Sequence, residues 1–376
     1  MDEPRQNVTI FLAERPTYGI VPGKTFTSKT GPSPTVEDLK DGEVLVETLY
    51  LSLDPFMRGM LNGKFHPTLS TRLSDPDINF LILQIGMVSG AVTRVLGSKS
   101  AKANPGDIVH TFSGWTEVAI VPEAAVDVIQ LPQGGKPTDI LMAALSKFSE
   151  VSGRDYHTDE SDFLDGAGTT AYIGMKNIAN VKPGETLVVS AAAGAVGTMV
   201  GQIAKLHGAR VIGITGSDQK CDWLCNEVGF DAALNYKSPT LVQDLESATP
   251  NEVDVYWDNV GGQLLDTLLN RAAKKSRFVI CGAISEYNTL PEQRWGVKNI
   301  IELGKKRIRM EGFVVLDHAQ ELPQARAQLF DWIQQGKLKV FNTVLKGGIK
   351  EAESALVKLF NGENHGKLSL EVKAIV

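Results

Sequence analysis

A run of small residues between an apolar strand pattern and a helical pattern is the first feature that could do chemistry. The strand pattern is Thr186–Ser190, the small residues are Ala191–Gly197, and the helical pattern continues to Lys205. Backbone N–H groups at the start of a helix bind phosphate, and small side chains let the phosphates approach them. The spacing departs from G-x-G-x-x-G because Ala192 stands in place of the first glycine. The run therefore predicts a dinucleotide pyrophosphate site, with tight packing of the strand against the helix as the alternative.

The residues after the next strand pattern indicate which nicotinamide cofactor such a site would bind. About 20 residues beyond the turn, NAD-binding proteins place an acid that binds the ribose 2′-hydroxyl. Here Gly216-Ser217 leave room for a 2′-phosphate, and Lys220 can supply positive charge, although it could also be a solvated lysine at a helix start. Asp218 is the opposing feature, because a shift of one or two residues would restore the acid. We expect NADP(H) rather than NAD(H).

The sequence shows two kinds of pattern, which predict the elements that position these residues. Before about residue 145, runs rich in β-branched residues, such as Val44–Leu51 and Val118–Val121, alternate with Gly- and Pro-containing turns and predict strands. From about residue 182, short apolar runs alternate with helix-length segments, which is typical of a doubly wound parallel sheet. These runs are Thr186–Ser190, Arg210–Thr215, Val253–Trp257 and Arg277–Cys281.

The C-terminal segment is too short to fold alone. Its patterns predict a strand, an amphipathic helix and a final strand at Val340–Leu345, Ile349–Asn361 and Lys367–Val376. We expect this segment to pack on the N-terminal β-rich domain. The predicted layout is therefore a β-rich domain in two pieces, residues 1–145 and 335–376, with an α/β domain at 146–334 inserted between them.

Composition sets the class of protein. A chain of 376 residues with 43% hydrophobic and 22% charged residues favours two soluble globular domains. A net charge of −6 gives no basis for binding nucleic acid. The apolar stretch Thr186–Gly201 is too short to span a membrane, and the start MDEPRQN lacks the pattern of a secretory signal. With only three cysteines, we expect a protein of a reducing compartment, the cytoplasm. As a separate expectation, its partner is a small-molecule substrate.

The candidate metal ligands are scattered. Zinc needs three or four converging Cys, His or carboxylate ligands. The cysteines are Cys221, Cys225 and Cys281, and the single histidines are His66, His110, His157, His207, His318 and His365. We therefore expect no metal. Without a Lewis acid, hydride addition to an already electrophilic carbon is the chemistry left.

Seven motifs in order resemble those of the zinc-independent, NADPH-dependent alkenal/enone double-bond reductases of the medium-chain dehydrogenase/reductase superfamily, the prostaglandin reductase (leukotriene B4 dehydrogenase) group. The resemblance covers most of the chain. The motifs are Leu49–Gly59, Ser190–Lys205, Gly216–Cys221, Asn235–Lys237, Asp258–Gly262, Cys281–Asn288 and Asn361–Lys367.

This resemblance implies a fold and a set of site residues. The fold is a GroES-like β-rich catalytic domain in two chain segments with an inserted Rossmann domain. Substrate-facing residues of the first domain would be Tyr50, Phe56, Met57 and Arg58. Cofactor-binding residues would be Ala193, Gly194, Ala195, Val196, Gly216, Ser217, Lys220, Tyr236, Asn259, Cys281, Tyr287 and Asn364, with Lys220 and Tyr236 at the 2′-phosphate. Relatives often pair through the edge of the nucleotide-binding sheet, so we expect a homodimer.

Tyr287 is the catalytic candidate that the resemblance places beside the nicotinamide. Hydride addition to the β-carbon of an α,β-unsaturated carbonyl builds negative charge on the carbonyl oxygen, which a protonated phenol can stabilise. The cofactor's ribose hydroxyl could share this role. The alternative for Tyr287 is a loop residue that packs, and for Tyr50 it is packing in a strand.

Three segments depart from the family pattern near the expected substrate. They are Leu83–Gly90, the acidic stretch Phe148–Phe163 and the run Gly166–Tyr172. We therefore expect a substrate pocket unlike that of general aldehyde reductases, suited to one larger biosynthetic intermediate. The alternatives are non-redox chemistry on the same cofactor fold, such as dehydration or cyclisation, and quinone reduction.

Overall fold

The structure, a computed structural model, describes residues 5–61, 87, 89–128 and 166–374 of the chain. These residues form two compact units. The β unit comprises the described residues up to 128 together with 343–361 and 368–374, and the α/β unit comprises 166–342 and 362–367. The predicted boundary at 145/146 lies outside the described residues, and residues 335–342, beyond the predicted boundary at 334/335, fall within the α/β unit.

The strands and helices have the following bounds. The strands are β1 (Gln6–Leu12), β2 (Phe26–Pro32), β3 (Glu43–Leu53), β4 (Ala91–Ser98), β5 (Ile108–Thr111), β6 (Val118–Pro122), β7 (Val126–Val128), β8 (Thr186–Ser190), β9 (Arg210–Thr215), β10 (Ala232–Asn235), β11 (Val253–Asp258), β12 (Ala272–Ile280), β13 (Arg309–Gly312), β14 (Asn342–Lys346) and β15 (Lys367–Glu371). The α-helices are α1 (Met57–Met60), α2 (Gly166–Gly174), α3 (Ala195–Leu206), α4 (Asp218–Trp223), α5 (Leu241–Ala248), α6 (Gly262–Arg271), α7 (Ile301–Lys306), α8 (Leu322–Gln334) and α9 (Ala352–Phe360). π-Helical turns at Met175–Ala179 and Leu224–Val228 continue α2 and α4. None of the helices in the described ranges has both the length and the apolar character that crossing a membrane requires.

An antiparallel sheet forms the core of the β unit. Its strand order is β14-β15-β3-β4-β5-β7, β6 pairs with β3, and β1 and β2 form a separate hairpin. The β-branched and apolar residues of β3 are almost all buried, which explains why this segment is the longest strand of the sheet. Leu368 of β15 lies opposite Leu53 of β3, so the C-terminal segment completes the sheet. The prediction of a β-rich domain built from two pieces of the chain is confirmed.

A parallel sheet forms the centre of the α/β unit. Its strand order is β10-β9-β8-β11-β12-β13. The chain therefore winds outward from β8 in one direction and then from β11 in the other, which is the doubly wound order that the sequence predicts. In such sheets the loops after the two central strands diverge and leave a crevice at their carboxyl ends. The turns after β8 and β11 lie at this switch point.

β12 begins earlier than the sequence predicts. The apolar pattern indicates a strand over Arg277–Cys281, whereas the structure has Ala272–Ile280. The pairing with β11 shifts register between Val253 and Val255, and Lys275 has a left-handed φ of +63°. This bulge places exposed polar residues inside the strand, so its first half has no apolar alternation to reveal it.

Candidate functional site

The small-residue run forms the turn between β8 and α3. Ala191 leaves the strand with a left-handed φ of +47°, and its carbonyl accepts the N–H of Gly194 at 3.0 Å. Gly194 is the N-cap of α3 and supplies no side-chain cap. The predicted pyrophosphate positions comprise one buried residue, Ala193, and three half-buried residues, Gly194, Ala195 and Val196. The first-turn amides of α3 therefore have no side-chain cap, an arrangement suited to a phosphate oxygen.

Two predicted residues meet beyond the ends of β9 and β10. Asn235 of β10 pairs with Thr215 of β9, so Tyr236 and Gly216 follow on neighbouring strands. A Cβ on Gly216 would lie 3.0 Å from Cε1 of Tyr236, so the glycine lets the ring pack against the backbone. The Tyr236 side chain is 53% exposed. An aromatic ring and its hydroxyl are thus open to a ligand beside Gly216.

Lys220 is held by a loop that is distant in sequence. Its Nζ donates to the carbonyl oxygens of Gly362 at 2.5 Å and Asn364 at 2.7 Å. Burial lowers the pKa of the Lys220 ammonium, and the charge of Lys237 lowers it further. The Oγ of Ser217 accepts the backbone N–H of Lys220 at 3.3 Å and caps α4. The lysine is therefore fixed at the start of α4 before any ligand arrives.

Asp218, whose negative charge argues against a bound 2′-phosphate, is hydrogen-bonded to Asn235. Its Oδ1 accepts a hydrogen bond from Nδ2 of Asn235 at 2.9 Å. Its carboxylate is thus directed towards the end of β10 in this arrangement.

The loop 362–367 joins the turn between β8 and α3 to Lys220. Gly366 donates its N–H to the carbonyl of Ala193 at 2.8 Å. Asn364 is 6% exposed, and its Nδ2 donates to the carbonyl of Gly366 at 2.6 Å. The structure therefore brings Asn364, Lys220 and Ala193 together although they lie far apart in the sequence.

Asn259 follows β11, and Cys281 follows its neighbour β12. The Asn259 Nδ2 donates to the carbonyl of Ser190 at 2.7 Å, and its Oδ1 accepts the indole N–H of Trp257 at 3.1 Å. Burial raises the pKa of the Cys281 thiol to about 12. Cys281 is therefore a neutral, half-buried thiol and not a thiolate nucleophile.

The Tyr287 hydroxyl turns back onto the loop after β12. Its oxygen accepts the N–H of Ala283 at 3.2 Å, and a Cβ on Gly282 would lie 2.9 Å from it. Burial raises the pKa of Tyr287; nearby Cys281 and Asp258 add to the rise, while the bond from Ala283 opposes it. The phenol is therefore protonated at neutral pH, and its O–H can be donated outward because the backbone bond uses only a lone pair.

The substrate candidates of the β unit differ in exposure. Phe56, just before α1, is 39% exposed, whereas Met57 is fully buried in the core of this unit. Tyr50 is 6% exposed, and its hydroxyl lies 3.4 Å from Oε2 of Glu371. Burial and the adjacent Glu371 raise the pKa of Tyr50. Phe56 is thus the only one of these three side chains with a large exposed surface.

Arg58 is the fourth substrate candidate, and its side chain is 1% exposed. Its Nη2 donates to the carbonyls of Pro16, at 3.3 Å, and Tyr18. In return, Nη1 of Arg15 donates to the carbonyl of Leu61 at 3.2 Å. Arg58 and Arg15 therefore tie the segment after β1 to α1 and its end, and the ring of Tyr18 is 52% exposed.

Asp258, which directly precedes Asn259, is a buried acid to which sequence reasoning assigned no role. It is fully buried at the end of β11, and its carbonyl accepts the N–H groups of Cys281 at 2.9 Å and Gly282 at 3.1 Å. The signal in the sequence was an acid as the last residue of an apolar strand pattern. A carboxylate is rarely fully buried unless it has hydrogen-bond or charge partners.

Some predictions fall on other parts of the chain. The stretch 148–163 and most of 83–90 lie outside the described residues, while Gly166–Tyr172 belongs to α2. Within the described ranges, no three His, Cys, Asp or Glu side chains are grouped so that they could hold a metal ion.

Comparisons with known proteins cover both units. A family model described as "N-terminal domain of oxidoreductase" matches residues 9–129, and one described as "Zinc-binding dehydrogenase" matches residues 195–333. Prostaglandin reductase 1 of Bos taurus is 38% identical over 333 residues, which cover 88% of this chain and 89% of that protein. The 2-alkenal reductase (NADP(+)-dependent) of Nicotiana tabacum is 36% identical over 329 residues, 86% of each chain.

A solved structure is similar to this chain over nearly its whole length. The crystal structure of CurA in complex with NADPH from Vibrio vulnificus matches with a TM-score of 0.80 and 32% identity, covering 98% of this chain and 100% of that chain. The resemblance of the motifs is thereby confirmed. The chain belongs to the medium-chain dehydrogenase/reductase family, in the group of NADP-dependent double-bond reductases that includes prostaglandin reductase 1 and 2-alkenal reductase.

Proposed function

We propose that this protein is an NADPH-dependent reductase of the activated C=C bond of α,β-unsaturated carbonyl compounds. The observation that carries the proposal is the arrangement of the α/β unit at the carboxyl ends of its strands. Fixed Lys220 and the uncapped start of α3 lie on the side of β8 and β9, and the protonated Tyr287 lies beyond β12. The names of the relatives, an alkenal reductase and a prostaglandin reductase, support the same reaction.

The residues present fit NADPH. The backbone at Ala193–Val196 would hold the pyrophosphate, since a Cβ on Gly194 would already contact the carbonyl of Ala191 at 3.2 Å. Gly216, Ser217, Lys220 and Tyr236 would hold the 2′-phosphate, with Asp218 kept occupied by Asn235. Asn259, Cys281 and Asn364 would line the remaining length of the cofactor. When bound, NADPH supplies the hydride.

Tyr287 is proposed as the catalytic residue that stabilises the carbonyl oxygen. Reduction adds a hydride to the β-carbon and a proton to the α-carbon, so the carbonyl oxygen carries negative charge between the two additions. The Tyr287 O–H can donate a hydrogen bond to this oxygen or pass on its proton, because burial keeps the phenol neutral. The ribose hydroxyl of the cofactor is the other candidate donor.

The β unit is proposed to contact the substrate through the stretch Tyr50–Arg58. The exposure of Phe56 supports direct contact by that side chain. Burial of Met57 and Arg58 supports an indirect role for both, Arg58 by holding the carbonyls of Pro16 and Tyr18. The departures from the family pattern support one larger biosynthetic intermediate as the natural substrate.

The test measures NADPH oxidation with a series of alkenals, enones and quinones and identifies the products. We expect saturated carbonyl products, unequal turnover across the series, and a fall in kcat of about 100-fold for Tyr287→Phe with the KM for NADPH unchanged. The control is Tyr236→Phe, which should alter the KM for NADPH and not kcat. Bound but unconsumed NADPH would favour non-redox chemistry, and faster quinone turnover would favour quinone reduction. Equal turnover of many simple enals and enones would contradict a specialised pocket.

We also propose a homodimer in the cytoplasm. All three cysteines are free thiols, which suits a reducing compartment. Within the described residues, β13 pairs on one side only, with β12, and exposed Ile300 and Ile301 precede it. An open edge strand next to exposed apolar side chains supports pairing of two copies across this edge.

A further inference from the structure

The carboxylate of Asp258 gathers four hydrogen-bond donors on one oxygen. Its Oδ1 accepts the Oγ–H of Ser190 at 3.0 Å, the hydroxyl of Tyr256 at 2.9 Å, and the N–H groups of Val260 and Gly261 at 2.9 Å each. The donors come from the end of β8, from β11 itself and from the turn after β11. The Asp258 side chain therefore fixes the ends of both central strands at the switch point of the sheet.

The second oxygen of Asp258 is different. Oδ2 is buried and makes no hydrogen bond within the described residues. A buried carboxylate with one unpaired oxygen costs free energy, and burial raises the pKa of Asp258 while its four donors oppose the rise. A buried carboxylate that lowers stability is expected where its hydrogen bonds or its charge contribute to a functional site.

The turn held by Asp258 carries the loop of Tyr287. The carbonyl of Asp258 accepts the N–H groups of Cys281 and Gly282, and the carbonyl of Asn259 accepts that of Ile284 at 3.1 Å. The Oγ of Ser285 donates to the carbonyl of Val260 at 2.7 Å. Residues 258–260 are therefore the scaffold on which the 281–287 loop is built, and a shift of the turn would shift the Tyr287 hydroxyl.

We propose that Asp258 is a positioning residue for the reduction, one that places Tyr287 through the 258–261 turn. This inference rests on the proposed function, since it takes Tyr287 as the group that stabilises the carbonyl oxygen. Asp258 itself touches no substrate in this account.

The charge effect has a definite sign. The titratable groups that face the Tyr287 hydroxyl are Cys281 and Asp258, and both raise the pKa of Tyr287. Asp258 in turn faces Tyr256, and it also raises the pKa of the Cys281 thiol. Removing the Asp258 charge lowers the pKa of Tyr287, so the loss of activity as Tyr287 ionises moves to lower pH.

The deciding variant is Asp258→Asn, which keeps the shape and removes the charge. We expect kcat to fall by roughly 10- to 100-fold with the KM for NADPH within about threefold of wild type, and the alkaline loss of kcat to begin at lower pH. The matched control is Asp254→Asn on the same strand, whose carboxylate accepts the N–H of Thr186 at 2.9 Å at the opposite end of β11. It should leave kcat and the pH profile unchanged.

A second variant covers the case in which Asp258→Asn does not fold. Tyr256→Phe removes one donor to Oδ1 and keeps the ring that packs on Phe278 at 5.2 Å. We expect a smaller fall in kcat, again without a change in the KM for NADPH. Wild-type kcat and pH profile in both variants would overturn the inference.

A readout without turnover separates this inference from the proposed function. The pKa of Tyr287 can be followed by NMR of ¹³C-tyrosine-labelled protein, with Tyr287→Phe to assign the signal. If wild-type protein binds NADPH but reduces no enone, the proposed function fails. The charge effect of Asp258 then still stands or falls on whether the pKa of Tyr287 drops in Asp258→Asn. Its positioning effect stands or falls on whether the Tyr287 signal shifts in Tyr256→Phe, which keeps the charge.

Discussion

At the scale of the residue, the proposed role of Lys220 at the 2′-phosphate depends on how its ammonium group is held. An ammonium group has three donors, and two of them are directed to the carbonyls of Gly362 and Asn364. One donor is left for an anion. Because burial and Lys237 lower the pKa of Lys220, its charged form lacks a full counter-charge, and a phosphate dianion would supply it.

Replacing Lys220 by alanine should therefore affect the phosphorylated cofactor selectively. We expect the KM for NADPH to rise by about 10- to 100-fold, because a hydrogen bond to a charged group contributes about 1.5–3 kcal/mol. The KM for NADH should be nearly unchanged. Steady-state kinetics with both cofactors measure this, with Lys274→Ala, an exposed lysine on β12, as the control. An equal loss for NADH would contradict the assignment of Lys220 to the 2′-phosphate.

At the scale of elements, the close approach of α3 to the sheet depends on glycine. A Cβ on Gly197 would lie 2.5 Å from the carbonyl oxygen of Ala191, and one on Gly201 would lie 2.0 Å from Cζ of Phe230. Phe230 is itself buried at the entry to β10. The helix can thus keep its N-terminus at the switch point only while these two positions have no side chain.

Gly201→Ala tests this packing. The added methyl must displace the buried Phe230 ring, so we expect a loss of about 1–3 kcal/mol in the free energy of unfolding. Urea denaturation measures the change. The matched control is Gly304→Ala in exposed α7, where a Cβ meets nothing within 4 Å and should add about 0.5–1 kcal/mol. Equal effects of the two substitutions would show that helix propensity and not packing governs Gly201.

At the scale of the whole molecule, the open edge of the six-stranded sheet is the feature that bears on assembly. Among the residues that the structure describes, β10 and β13 are its two edges. Exposed Ile300 and Ile301 lie at the start of α7, which leads into β13. An unpaired edge strand invites pairing with a second copy, and a two-fold axis beside it would close the assembly as a dimer.

The expected solution mass is twice that of the 40.7 kDa chain. Sedimentation or light scattering measures it over a range of concentrations. Ile301→Glu should shift the equilibrium towards the single chain, because it places a charge in an apolar contact. Val242→Glu, on the side of β10, is the control and should not. A mass of one chain at all concentrations would contradict the proposed dimer.

Several elements could be predicted because local pattern and tertiary environment agree. β8 and β9 match the predicted bounds, since a strand buried on both faces is a continuous apolar run in the sequence. The pattern over 349–361 predicts one helix, and the structure has α9 preceded by a 3-10 turn at Ile349–Glu351. The start of β12 was not predicted, because its bulge interrupts the alternation of apolar residues.

The sequence by itself determined the doubly wound sheet, the small-residue turn between β8 and α3, and the family, because each is carried by residues that lie close together along the chain. Only the tertiary structure decided that Lys220 binds the 362–364 carbonyls, that Arg58 and Met57 are buried, and that Asp258 collects four donors. The contacts of Lys220 and Arg58, and that of Asp258 with Ser190, join segments far apart in the sequence. Burial of a polar side chain depends on such partners, which no local pattern records. The residue types of the candidate site could thus be recognised from local motifs. The positions of their side chains depend on contacts that form only on folding.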